Sequence, residues 1–259
     1  MNRDYLKHYG IKGQKWGVRR YQNADGTLTS AGKNRLKGAR MKSDLVREQL
    51  GIDIPKKKFV TPIHDDTSKD LVVTKDKTVT HVTPNDFRSL KEGQDLYISA
   101  TETDKNIYKS YLTLMLKHKG FGLDSPIKEI EFSLKEDLKS PSNKRQKKIF
   151  EETYKKNQDI FERDLQDYYS KHKNKPADKY DAFIKSLDGK GESKSIFYQA
   201  MKDQGYNAVL DQHDVNESWM AAKRPLIVMD ALNTLGDMKV KDISNDDIVD
   251  SLNKLGVMK

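Results

Sequence analysis

The chain has 259 residues, 35% hydrophobic and 34% charged, with no cysteine and a formal net charge of +9. The absence of cysteine excludes disulfides, thiolate metal sites and cysteine nucleophiles, and no apolar run approaches the ~20 residues that a membrane helix needs, so no membrane partner is expected. The charge is uneven: residues 1–58 hold 15 Lys/Arg against 5 Asp/Glu, and the rest hold 33 against 34.

The positive field therefore belongs to the N-terminal segment, which such charge draws toward nucleic acid, acidic protein surfaces or anionic lipid. A solvated tail without a partner is the plain alternative. The opening residues Met1 to Leu6 carry no apolar core of a signal peptide, so secretion is not expected.

In chain order, His8 to Tyr21 comes first, with glycines at 10, 13 and 17 that oppose a regular helix and permit tight turns. Asp25-Gly26 marks a turn, and Thr29 or Ser30 then caps a basic helix from about Ala31 toward Leu50. The apolar stripe of that helix, Leu36, Met41, Leu45 and Val46, is thin, so the helix needs a partner surface. Residues 51–70, interrupted by Pro55 and Pro62, read as a linker.

Beyond it, Leu71–Val73, Thr78–Thr83, Leu96–Ala100 and Ile127–Phe132 have the β-branched or alternating character of strands. An amphipathic helix, capped by Thr103 or Asp104, is expected to run to about Lys119. A charged helix spans roughly Asn143 to Ser170, and two more cover Lys179–Leu187 and Lys194–Gln204. Gly205–Leu210 and Pro225–Asp230 read as a strand pair, and the polar C-terminal stretch contains a short helix near Asp246–Leu255. The expected fold class is α+β: a small basic N-terminal module (1–50), a linker (51–70), and a mixed, mainly antiparallel sheet domain (71–259) with a helical insertion at about 143–190.

The run from His8 to Tyr21, continued by Asn23-Ala24-Asp25-Gly26-Thr27-Leu28-Thr29, resembles a module found in minor structural and head-morphogenesis proteins of phages and prophages of Gram-positive bacteria. That resemblance implies a bacteriophage structural or virion-associated protein, located in the virion or the host bacterial cytoplasm, with capsid or portal proteins as partners. Trp16, Arg19 and Arg20 are the candidate docking anchors, since aromatic and Arg side chains dominate docking surfaces. DNA is a further candidate partner for residues 1–58, and a basic nucleic-acid-binding protein is an alternative reading.

The order of strands and helices in the large domain resembles ADP-ribosyltransferases. The resemblance implies NAD as cofactor and a protein target in the host, with His81 on the first strand and Tyr97 or Ser99 on the second as NAD-binding residues. Glu217 is then the late catalytic acid, which would stabilise a developing cation. No cofactor is required if the chain is purely structural, for which a polar strand residue at 81 and a strand end capping the next helix at Ser99-Ala100-Thr101 suffice. No metal is expected: His213 with Asp211 and Asp214 reads as a polar turn. Lys144, Arg145, Lys147 and Lys148 ahead of Glu151 and Glu152 suggest pairing along a solvated helix.

Overall fold

The computed structural model describes residues 27–59, 67–84, 87–121, 126–171, 178–187, 189, 191–211 and 222–258. Helix α1 (Ser30–Leu50) begins where expected, with Thr29 Oγ1 accepting a hydrogen bond from Gly32 N at 3.1 Å. It ends at Gly51, whose φ of 70° suits glycine and returns an N–H to the Arg47 carbonyl. The partner surface that its thin stripe requires is present. Ala39, Leu45 and Val46 share a core with Ile107, Tyr111, Leu114, Ile248 and Leu252. A 3-10 turn at Lys56–Phe59 follows, and Phe59 packs edge-on against Tyr111.

The strands are β1 (Leu71–Val73), β2 (Thr78–Thr83), β3 (Leu96–Ile98), β4 (Lys128–Leu134), β5 (Leu138–Ser140), β6 (Ala208–Leu210), β7 (Leu226–Val228) and β8 (Leu235–Asp242). They form one pair, β1-β5, and two three-stranded sheets ordered β2-β4-β8 and β3-β7-β6. Every pairing is antiparallel. With the helices, this is the expected α+β class.

Strand alternation sorts the side chains. Val79, Ile130, Phe132 and Leu235 from one sheet and Leu96, Ile98, Ala208, Leu210, Leu226 and Val228 from the other form a shared core. On the outer face of β3-β7-β6, Val209, Ile227 and Met229 meet a helical layer containing Phe150, Phe161, Phe183 and Phe197. That layer consists of α4 (Asn143–Lys156), α5 (Gln158–Lys171), α6 (Lys179–Ser186) and α7 (Glu192–Asp203).

Three local expectations are revised. The long helix near 143–170 is two helices, because Asn157 leaves helical geometry (φ −133°, ψ 39°) and turns its side-chain amide back to the Thr153 carbonyl. The helix after β3 starts earlier, capped by Thr101 rather than Thr103 or Asp104. It runs as α2 (Glu102–Ile107), a π-helical turn (Tyr108–Leu112) and α3 (Thr113–His118). In the stretch expected to be polar apart from one helix, α8 (Ala231–Thr234) leads into the eight-residue strand β8. The short C-terminal helix is α9 (Asn245–Lys254), with a capping box between Ser244 and Asp247.

Candidate functional site

The strands expected to carry the cofactor residues are adjacent. Strand β2 and the end of β3 join through one bridge, where Thr80 N donates to Ser99 O (3.0 Å) and Ser99 N donates to Thr80 O (2.7 Å). This bridge connects the two three-stranded sheets. His81, Tyr97 and Ser99 therefore lie within one junction.

Their side chains do not converge. Thr80 and Ser99 face each other across the bridge and share one side, and alternation sends His81 and its register partner Ile130 to the other side, with Val79. There the His81 ring lies 5.9 Å from Phe87. His81 Nδ1 is 2.8 Å from the Tyr97 carbonyl; a carbonyl only accepts, so Nδ1 carries the proton that it donates there. Burial pushes the His81 pKa down, against the opposing effect of that carbonyl, and the ring is held neutral.

Ser99 is 2% exposed. Beside it the buried Thr80 hydroxyl has no hydrogen-bond partner among the described residues. The Tyr97 side chain packs against the helical layer. Thr101, two residues after Ser99, caps α2 by accepting from Asp104 N. Glu217, the proposed catalytic acid, lies outside the described residues, as do the docking residues Trp16, Arg19 and Arg20 and the turn residues His213 and Asp214.

Two polar centres went unrecognised in the sequence. Asp104, fully buried, accepts from the backbone N–H of Lys223 (2.6 Å) and of Arg224 (2.8 Å), fastening α2 to the segment entering β7. Burial raises its pKa, opposed by those same N–H donors. The Arg224 guanidinium, also buried, donates to the carbonyls of Lys69 (2.7 Å) and Pro141 (3.2 Å). The second centre is more open: Tyr206 donates to Asp70 at 2.7 Å, and Arg145 donates to the Tyr206 oxygen at 2.8 Å. No sequence signal marks either, because the partners lie far apart along the chain.

Arg145 also lines an open cavity of about 790 Å³ on α4, with Ser68, Lys144, Lys147, Lys148 and Gln204. Its charge is largely answered in place. Lys147 pairs with Asp178 at 2.5 Å and Lys148 with Glu152 at 3.7 Å, the latter in the i,i+4 arrangement expected of a solvated helix. Among the described residues no group of three or more His, Cys, Asp or Glu is placed to hold a metal ion, and no helix is long and apolar enough to cross a membrane.

Residues 1–23 match the model of a family of unknown function, DUF7211. No curated protein and no solved structure matches the chain.

Proposed function

We propose that the chain is a bacteriophage virion-associated protein that docks to capsid or portal through its basic N-terminal segment and carries the α+β domain as a structural element. The observation that favours a structural over a catalytic role for the domain is the internal use of the candidate cofactor residues. His81 spends its N–H on a backbone carbonyl, Ser99 is buried, Tyr97 is packed under helices, and His81 faces away from Ser99. Residues 1–23, the part that fits a family, lie in the segment with the charge excess and the aromatic and Arg anchors Trp16, Arg19 and Arg20. Particles purified from a host encoding the chain are expected to contain it at a fixed ratio to the portal protein, and to lose it when residues 1–23 are deleted. Particles free of the chain, or retaining it after the deletion, would overturn the reading.

A second reading, a NAD-dependent protein ADP-ribosyltransferase, is favoured by one observation. Ser99 forms, and His81 adjoins, a bridge between the two three-stranded antiparallel sheets, so the first and second strands of that resemblance lie side by side. Its test is calorimetric titration of the full chain with NAD, repeated with His81→Ala. Binding in the micromolar range that the substitution abolishes supports a transferase. No binding at millimolar NAD removes it.

A further inference from the structure

Strand β8 lies at the edge of the β2-β4-β8 sheet, and its principal contacts are with β4 and α8. Seven of its eight residues are exposed or half-buried. Its register with β4 is regular from Met238 to Asp242 and shifts at Gly236–Asp237, and over the regular stretch the edge offers a row of backbone donors and acceptors to another strand. Two of its side chains add an apolar incentive. Met238 and Val240 are register partners of Phe132 and Ile130, both fully buried, yet they are themselves 36% and 46% exposed. The core face of the sheet thus continues past the core into solvent.

The geometry points to a second copy of this chain as the occupant, paired β8 to β8 in antiparallel fashion about a two-fold axis at Lys239. The sequence Gly236-Asp237-Met238-Lys239-Val240-Lys241-Asp242 is self-complementary in that register. Asp237 faces Lys241 of the second copy, and Lys241 faces its Asp237. Met238 faces Val240 in both directions, so Phe132, Met238, Val240 and Ile130 form one apolar row running across both sheets. Directly opposed pairs of these kinds are the unit of sheet stabilisation.

Lys239 meets its own copy at the centre. Each Lys239 is also the register partner of Glu131 on β4, so the row reads Glu, Lys, Lys, Glu and carries no net charge. Lys241 already pairs with Asp247 of its own chain at 2.5 Å, and an ammonium with three donors serves a second carboxylate as well. A self-complementary patch of this kind generates a closed dimer rather than a filament. The result is a continuous six-stranded sheet.

The test is sedimentation velocity on the full chain across the micromolar range, with circular dichroism confirming that each variant is folded. The wild type is expected to dimerise. Asp237→Lys places Lys against Lys, and Lys241→Asp places Asp against Asp, each weakening self-association by about tenfold or more. Mixing the two variants restores both opposite-charge pairs and is expected to give a heterodimer. A wild type that stays monomeric, a dimer indifferent to both substitutions, or a mixture that fails to associate would each overturn the proposal.

Discussion

The side-chain amide of Gln146, on α4, pairs with both backbone groups of Leu210. Gln146 Nε2 donates to the Leu210 carbonyl and Leu210 N donates to Gln146 Oε1, each at 2.8 Å. Strand β6 is the edge of its sheet, so this one side chain stands in for a missing neighbouring strand. The amide nitrogen also donates to the Tyr180 hydroxyl at 2.8 Å, and the residue is completely buried. A substitution Gln146→Leu keeps the bulk but leaves the Leu210 N–H and C=O unpaired away from water. It is expected to cost about 2–5 kcal/mol, measured by urea unfolding. Gln146→Glu retains the acceptor for Leu210 N and places a carboxylate against the Leu210 carbonyl, so it is expected to be no milder. A cost below 1 kcal/mol on the scale of a single exposed hydrogen bond would show that the pairing is dispensable.

Lys42 is 3% exposed, with its ammonium 4.5 Å from the centre of the Tyr111 ring. Burial, reinforced by Arg35, pushes its pKa down to about 8 from the ordinary 10.5. The unfolded chain therefore binds the proton more tightly, and folding stability rises as pH climbs from 8 to 10.5 and is lower by a constant amount below 8. The ceiling on that change is about 3 kcal/mol, less whatever the aromatic face returns. Lys42→Met is expected to stabilise the protein at pH 7 and to flatten the rise above pH 8. Thermal melts of both proteins from pH 7 to 10.5 check this; parallel curves would refute it.

Asp104 is expected to behave as a clasp between α2 and β7. Asp104→Ala removes the acceptor for Lys223 N and Arg224 N and the partner of Thr101 Oγ1. Loss of two charge-assisted bonds to buried backbone is expected to cost about 2–4 kcal/mol. The local consequence is readable by hydrogen exchange, with faster exchange of the Arg224 and Leu226 amides relative to those of β4. Uniform exchange changes across the molecule would argue against a local clasp.

His81 supplies an acid-side prediction. Its folded pKa lies below the unfolded value of 6.5, so its contribution is present above pH 6.5 and is lost as pH falls through the folded value. His81→Asn retains an N–H for the Tyr97 carbonyl without a titrating ring. The fall in stability between pH 7.5 and 5 is expected to shrink in the variant, by chemical denaturation at both pH values. An unchanged difference would mean that the ring is not buried in its neutral form.

Ser244 and Asp247 form the reciprocal cap of α9, with Asp247 Oδ2 accepting from Ser244 N at 2.9 Å and Asp247 N donating to Ser244 Oγ at 3.2 Å. Ser244→Ala is expected to cost about 1 kcal/mol by thermal unfolding. Because α9 places Ile248 and Leu252 in the core shared with α1, the same substitution is expected to speed exchange of amides in α1. An effect confined to α9 would show that the two helices are held independently.

Much of this architecture was legible locally. Thr29 announced α1, β-branched residues marked β2 and alternation β4, and the apolar runs at 208–210 and 226–228 marked the paired strands β6 and β7. Strand β8 was not, because its apolar residues Met238 and Val240 alternate with charge and remain exposed, so nothing separated it from a polar tail. At the candidate site, the residue types and their strands were legible, and the side to which each points was not. A single bridge, Thr80 to Ser99, sets His81 and Ser99 on opposite faces, and its register is a property of two segments together.

By itself the sequence determined the charge asymmetry, the caps and the periodic elements, because each depends on residues a few positions apart. Only the tertiary structure decided that Gln146 would complete a sheet edge 64 residues away and that Asp104 would hold Arg224 across 120. It likewise decided that Lys42, on a basic helix, would be buried against Tyr111. The physical reason is common to all three. A buried polar group is costly unless a partner meets it, and the chain brings that partner from a distance no local pattern records.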